Sequence, residues 1–525
     1  MYPNNRYFNN KIWLVVLLLL SLFSLGTFAN QGLWDAVEAG NIKQIKTLLK
    51  QNIDPNTTQA TGDTALHLAA YYQHTAVVKT LLKSGANPNS INRYGISPTY
   101  ITALNGDAEI MRLLLNAGAD TAYLAPTTET LLMIAARTGE PKLIKLLLSR
   151  GADVNAREQE FKQSALMLAV RGNHLQAVKL LIDAGADNNA QTRIGPTPIF
   201  IPPCKGTGCG SEGVGINRGG IPDRGRRDAT KGGMTPLLYA AREGFTDAAA
   251  QLIKAGADVE LAEANGISPL LMALLNNQLG VANLLLDHGA DVNSNDFWGR
   301  TPLWAAVEYR NLDMNNREQD DPVDNGVQRE TLLPVIQRLL ELGANVNART
   351  REVFPSRKWL YSLNDVSWVD FTGQTPFLRA ALSGDVTTME LLLKYGADTN
   401  IPTFAGTTPL MAAAGVNWVV AQTYTESEQS LIDAIALCLE HGADINASNS
   451  MGLTAVLGAA NRGANDILRF LANNGADLHV ADVHGRTPQR WAEGVFLAAV
   501  GATRKPETLT LLDELLAAEK VESKQ

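Results

Sequence analysis

The chain has 525 residues, of which 45% are hydrophobic and 19% charged, and carries a formal charge of −8. One compact core seldom grows to this length, so several domains or a repeat array are expected. The acidic balance excludes the basic footprint of a nucleic-acid binder, and three cysteines are too few for a disulfide framework, leaving packed apolar surface as the source of stability.

In chain order, residues Met1 to Lys11 are polar and carry Arg6 and Lys11 but no acid. An apolar run from Ile12 to Leu20 follows, extended by Leu22, Phe23 and Leu25, and Thr27-Phe28-Ala29 closes it with small residues at the positions a signal peptidase reads. A basic head, a short apolar middle and a small-residue exit form a secretory signal peptide over residues 1–29. The apolar stretch is short of the roughly 20 residues that cross a bilayer, and an uncleaved anchor is the alternative. Both readings place the bulk of the chain outside the cytoplasm, periplasmic or secreted.

From residue 30 onward one pattern repeats. Gly-Ala-Asp or Gly-Ala-Asn recurs at Gly85, Gly118, Gly151, Gly185, Gly256, Gly289, Gly343, Gly396, Gly442 and Gly475. A Thr or Ser, often followed by Pro, keeps the same beat at Thr64, Ser97, Thr130, Ser164, Ser268, Thr301, Thr375, Thr408, Thr454 and Thr487. The hydroxyl caps a helix, and Pro in its first turn costs no hydrogen bond. Leu66, Ala69 and Ala70 then share a face, and Val77-Val78-x-x-Leu81-Leu82 gives a second apolar helix that glycine ends. A period of 33 with a Thr-Pro-Leu start, as in Thr235-Pro236-Leu237 and Thr301-Pro302-Leu303, resembles the ankyrin repeat. The resemblance implies an all-α repeat solenoid of about twelve ankyrin repeats, each a helix–turn–helix plus a hairpin finger, with inserted loops. A degenerate first unit (Leu33 to Asn56) and an atypical last one (Thr487 to Glu519) are expected to act as caps.

The domain plan is a signal at 1–29, N-terminal repeats over 30–195, a Gly-rich basic insertion over 196–233 and C-terminal repeats over 234–525. The basic insertion carries Lys205, Arg218, Arg224, Arg226, Arg227 and Lys231. Further insertions fall near 311–330, 351–371, 415–428 and 494–507; the second enlarges a finger and holds Trp359, Tyr361 and Trp368. The others lengthen inter-helix turns, expected at the opposite edge from the fingers. Inserted loops carry function more often than the scaffold does, so the partner is placed after residue 195.

Chemical signatures are sparse. Gly208-x-Gly210-x-x-Gly213 lacks the strand and helix a dinucleotide site needs. Cys204 and Cys209 lack a second ligand pair for zinc; a local disulfide fits an oxidising compartment, with two free thiols as the alternative. Cys438 and His67 sit where structural roles are expected. No Ser/His/Asp or paired-carboxylate constellation stands out, so no catalytic site, cofactor or metal is assigned.

In ankyrin proteins generally, finger tips and exposed first-helix residues line a groove where partners dock. Carried onto this chain, the resemblance implies partner-binding positions at Tyr94, Arg242, Phe297, Trp298, Tyr309 and Phe404, joined by Trp359 and Trp368 of the enlarged finger. Tyr71, Tyr72, Arg137, Glu243 and Glu308 are further exposed first-helix candidates. Aromatics and Arg are the types enriched at binding hot spots, although Trp298 or Tyr94 packing only against an adjacent finger is the competing reading. The expected function is a non-catalytic protein-binding scaffold or accessory subunit outside the cytoplasm, with another protein as partner, no nucleic acid, and no membrane contact beyond an uncleaved anchor. The alternatives are a recognition subunit of an exported enzyme complex, or a metal or cofactor protein using the Cys204–Cys209 loop.

Overall fold

The computed structural model describes residues 31–196, 230–312, 325–352, 370, 372–417, 425, 427–495 and 503–522. These form 24 helices in consecutive helix–turn–helix pairs, with isolated bridges and no strand among the described residues. The first ten are α1 (31–38), α2 (Ile42–Lys50), α3 (Ala65–Tyr71), α4 (Thr75–Lys83), α5 (Pro98–Leu104), α6 (Ala108–Asn116), α7 (Leu131–Thr138), α8 (Pro141–Ser149), α9 (Ala165–Arg171) and α10 (Leu175–Asp183). Next come α11 (Pro236–Glu243), α12 (Thr246–Lys254), α13 (Pro269–Leu275), α14 (Leu279–Asp287), α15 (Pro302–Arg310), α16 (Asn325–Glu341) and α17 (Pro376–Ser383). The last are α18 (Val386–Lys394), α19 (Pro409–Ala413), α20 (Glu428–Glu440), α21 (Ala455–Arg462), α22 (Asn465–Asn473), α23 (Pro488–Ala492) and α24 (Pro506–Glu522).

The chain divides into two compact units. Unit 1 runs to Arg193 and includes Thr235–Tyr239 and Asp247–Ala257; unit 2 comprises Ile194–Met234, Ala240–Thr246 and everything from Asp258. Within unit 1, first helices lie beside first helices (α3, α5, α7, α9) and second beside second (α2, α4, α6, α8, α10). The same two rows run through unit 2, from α13 to α23 and from α14 to α24.

The helix starts follow from their caps. The hydroxyls of Ser97, Thr301, Thr375 and Thr408 each accept from a backbone N–H three residues on, with Pro at the start of the helix. His67 is buried, with Nδ1 against Thr64 and Nε2 against the Ile96 carbonyl of the next repeat. Burial pushes its pKa down, against the opposing pull of that carbonyl and of Asp63. The role is structural. Cys438 is fully buried in α20, and burial pushes its thiol up to about 12, so it behaves as a small apolar group.

A second set of bonds ties repeat to repeat. In most repeats an Asn four residues after the glycine of the turn donates to the next repeat's glycine carbonyl and accepts the N–H two residues beyond that glycine. Asn89 does so with Gly118 at 2.9 Å and Asp120 at 2.8 Å, and Asn347 with Gly396 at 3.1 Å and Asp398 at 2.9 Å. Asn56, Asn155, Asn293 and Asn446 repeat the arrangement. One amide side chain thus satisfies a donor and an acceptor left over at a helix end.

Two expected loops are shorter than the sequence suggested. The turn expected over 311–330 gives way to α16 at Asn325, because Arg329 is drawn into a buried ion pair with Asp385 at 3.2 Å and the helix extends to place it there. The last helix, α24, begins at Pro506, inside the expected 494–507 turn. The core is continuous between neighbours: Leu33, Val37, Ile45, Leu66, Val78, Leu81, Ile110 and Leu114 share one cluster spanning the first three repeats. Leu303, wholly buried in α15, holds the inward position that Leu66, Leu237 and Leu410 occupy elsewhere. Leu303→Ala should lower unfolding free energy by about 2–5 kcal/mol as a cavity-forming change; a urea titration showing a loss within error would mean the helix faces are misassigned. Among the described residues, no helix is long and apolar enough to cross a membrane.

Candidate functional site

The fingers are built from backbone outward. In the finger of Asp296, one carboxylate oxygen accepts the N–H groups of Trp298 at 3.0 Å and Arg300 at 2.9 Å. Asn92, Asn449 and Asp482 hold their own fingers in the same way. Gly299 closes the turn with φ +78°, and an added Cβ there would meet the Arg351 backbone nitrogen at 2.8 Å, so only glycine fits. In unit 2 each tip then donates a backbone N–H to the finger before it. The bonds run Ala264 to Gly232, Phe297 to Asn265, Arg351 to Trp298, Phe404 to Thr372, Ser450 to Ala405 and Val483 to Met451, at 2.7–3.2 Å. The tips therefore form a hydrogen-bonded row that fixes the backbone and leaves alternate side chains outward.

Phe297 is 39% exposed and Phe404 40%, both on that row. The Arg349 guanidinium lies 4.3 Å from the Phe404 ring centre and donates to the Gly373 and Pro402 carbonyls, so Phe404 stands on a braced platform. Tyr94, on a finger of unit 1, is exposed. Arg242 is half-buried and pairs with its exposed neighbour Glu243 at 2.7 Å, and Tyr309 is half-buried in α15. Trp298 corrects the expectation of a partner-facing tip: it is only 1% exposed. The Arg300 guanidinium, bound to Asp296 at 2.7 Å, lies 5.2 Å from its ring centre, Phe297 stands edge-on at 5.6 Å, and the N–H groups of Arg351 and Glu352 both point to its carbonyl. Glu308 is likewise buried rather than exposed, paired with Arg379. Trp359, Trp368, Cys204, Cys209 and most of the basic insertion lie outside the described residues. Among the described residues, no three or more His, Cys, Asp or Glu side chains gather as a metal site requires.

A three-copy ankyrin-repeat family model matches residues 33–125, 100–192, 220–296 and 237–316, and a single-repeat model matches 372–401. The chain belongs to the ankyrin-repeat family. Among solved structures, it is similar to the ankyrin repeat domain of Bcl-3, a member of the IkappaB protein family, at 24% identity and a TM-score of 0.38, over 49% of this chain and 97% of that one. An ankyrin-repeat array is a protein–protein interaction scaffold, and the relevant chemistry lies in how individual repeats depart from the shared pattern.

Two departures in these ankyrin repeats escaped the sequence reading. In α15–α18 a charge cluster is buried: Asp385 receives Arg310 at 2.8 Å and Arg329 at 3.2 Å, and Asn311 also donates to it. Arg379 pairs with Glu308 and donates to Ser383 at 2.9 Å and to the Asn311 carbonyl at 2.9 Å. Three guanidinium groups thus share two carboxylates away from water. The second departure joins two insertions. Asp370, at the end of the enlarged finger, donates its N–H to Asn417 at 3.2 Å, accepts from the Asn417 amide at 3.3 Å, and holds the Ala405 N–H at 2.8 Å. The turn after α19 was expected at the edge opposite the fingers; the structure instead returns Val416 and Asn417, both buried, to a finger base.

Proposed function

We propose that this chain is an exported, non-catalytic scaffold or accessory subunit that holds another protein along the fingers of its second unit. What carries the reading is the row of tip-to-tip backbone bonds from residue 232 to residue 483, which fixes Phe297 and Phe404 in half-exposed positions. Rigid aromatic anchors concentrate binding energy because little conformational freedom is lost when they are covered. The basic residues Arg226 and Arg227, outside the described residues, would act at the rim, changing association rate and its salt dependence more than dissociation.

With the partner captured from the native envelope and identified, Phe297→Ala combined with Phe404→Ala should weaken binding by about 2 kcal/mol or more, roughly thirtyfold in Kd. Surface plasmon resonance reads the change, and circular dichroism confirms an unchanged melt. Unaltered affinity in a folded double variant would move the partner off this row. Export rests on the basic, apolar and small-residue segments of residues 1–29. N-terminal sequencing of mature protein should begin at Asn30; a start at Met1 in the membrane fraction would instead show a retained anchor.

A further inference from the structure

The formal charge of −8 conceals an uneven distribution. In unit 1 the second helices α2, α4, α6, α8 and α10 together carry nine Lys or Arg and two acids, Glu109 and Asp183. In unit 2, α14, α16, α18, α20 and α22 carry four Lys or Arg and eight acids, so the same row reverses its sign. The cations of unit 1 are also aligned. Lys46, Lys79, Arg112, Lys145 and Lys179 are each the fifth residue of a nine-residue helix, and all five are exposed. Burial explains the alignment: α4 turns its third, fourth and seventh residues, Val77, Val78 and Leu81, into the core, which leaves the fifth outward. The helices α6, α8 and α10 bury the same positions.

The five helices lie side by side in chain order. At roughly 10 Å per packed helix the cations extend over about 40 Å. Nothing in the fold calls for a cation at this position, since the fifth residue is Asn283 in α14 and Glu390 in α18. Among the described residues Lys46, Lys79, Arg112 and Lys145 make no ion pair, and Lys179 meets Asp183 only at 3.7 Å with both well exposed. The acids of the adjoining turns are engaged elsewhere: Asp120, Asp153 and Asp187 each accept a backbone N–H two residues on, at 2.8–2.9 Å. Like charges about one Debye length apart repel one another, so the stripe opposes folding unless something anionic covers it. No aromatic or large aliphatic side chain is exposed on these helices, and Lys is depleted where proteins bury contact surface against each other. Eight of the nine cations are Lys, a compact hydrated charge that attracts phosphate without fixed geometry, whereas Arg serves bidentate recognition.

We propose that the second-helix row of unit 1 rests on a membrane surface of anionic phospholipid, held by Lys46, Lys79, Arg112, Lys145 and Lys179. With no apolar side chain to insert, the attraction is electrostatic and salt reverses it. Unit 1 is the unit joined to the apolar segment of residues 12–25, which on the export reading meets the membrane in transit or stays in it. The inference rests on that reading only in preferring lipid to nucleic acid as the source of phosphate. It departs from the expectation that the scaffold meets no membrane beyond an anchor, and it concerns a different surface from the finger row.

The test is co-sedimentation of the mature chain with phosphatidylcholine vesicles, either pure or containing about one third phosphatidylglycerol. At about 0.1 M salt the anionic vesicles should bind roughly tenfold or more tightly than the neutral ones, and about 0.5 M salt should remove the difference. Lys79→Glu, Arg112→Glu and Lys145→Glu together should lower anionic binding by about tenfold or more, and Gln at the same three positions should lower it by less. Circular dichroism should show an unchanged melt for both sets. Lys394→Glu, Arg469→Glu and Arg490→Glu, the same change of charge placed in unit 2, should lower binding by about twofold at most. No preference for anionic vesicles, or equal losses from the two charge-reversed sets, would overturn the proposal. So would tighter binding, per phosphate, to single-stranded DNA than to the vesicles. Vesicle binding is read on purified protein, so its failure is separate from failure of export, which N-terminal sequencing reads.

Discussion

Asp385→Ala should destabilise unit 2 by about 3–5 kcal/mol, because it leaves Arg310 and Arg329 buried without their shared carboxylate. The cost comes mainly from the groups left behind: a guanidinium removed from water with a partner missing is worse than one never buried. Burial by itself would raise the pKa of Asp385, but the Arg310 and Arg329 charges, with hydrogen bonds from Arg310 and Thr388, outweigh it and hold the carboxyl below its usual range. A carboxyl with a lowered folded pKa stabilises fully above its unfolded value of about 3.9 and ceases to do so as pH falls through the folded value. The gap between wild type and variant should therefore be constant from pH 7 to about 5 and close progressively below pH 4. Urea midpoints measured across that range decide it, and a gap under about 1 kcal/mol at pH 7 would mean that water reaches the guanidinium groups.

Trp298→Ala should cost about 3–5 kcal/mol of stability, the range for removing a buried large aromatic. The indole fills the space beneath Arg300 and beside Phe297, where the chain of the next finger passes over it. Phe297→Ala, one residue away and 39% exposed, should change the melt far less. A thermal or urea comparison separates the two, and similar small losses would show that the Trp298 site is hydrated. The contrast also bears on binding experiments: any loss of affinity on replacing Trp298 would reflect a disrupted finger rather than a lost contact.

What could be read from the sequence depended on whether a residue answers to its own repeat or to its neighbours. The Thr64 cap, the glycine after each second helix and His67 follow from local geometry that every repeat must solve, so periodicity exposed them. Trp298 occupies the position of Tyr94, immediately before a turn glycine, yet one is buried and the other exposed. The difference lies in the chain of the following repeat, more than 50 residues on, which no local pattern encodes. Glu308 was expected to be exposed because it is hydrophilic by itself, and Arg310 and Arg379 carry no repeat marker that would set them apart from surface charges. Their burial depends on partners 71 to 78 residues away. The bond between Asp370 and Asn417 was hidden for the same reason.

The asparagine bonds between repeats also set how the array bears load. Most junctions on that edge are fastened at two points, by one amide that both gives and takes a hydrogen bond. Ala122 stands at the equivalent position after Gly118 and has no polar side chain, and Glu260, after Gly256, only accepts, from the Asp291 N–H at 2.8 Å. Asn400, after Gly396, bonds through its backbone to Asp398 and its amide does not bridge to Gly442, so among the described residues unit 1 holds one joint with fewer stitches and unit 2 holds two. Within each unit taken by itself, stretching should collect at the joints with fewer stitches, after residue 122 in the first unit and after residues 260 and 400 in the second, while the doubly bonded stretches resist it.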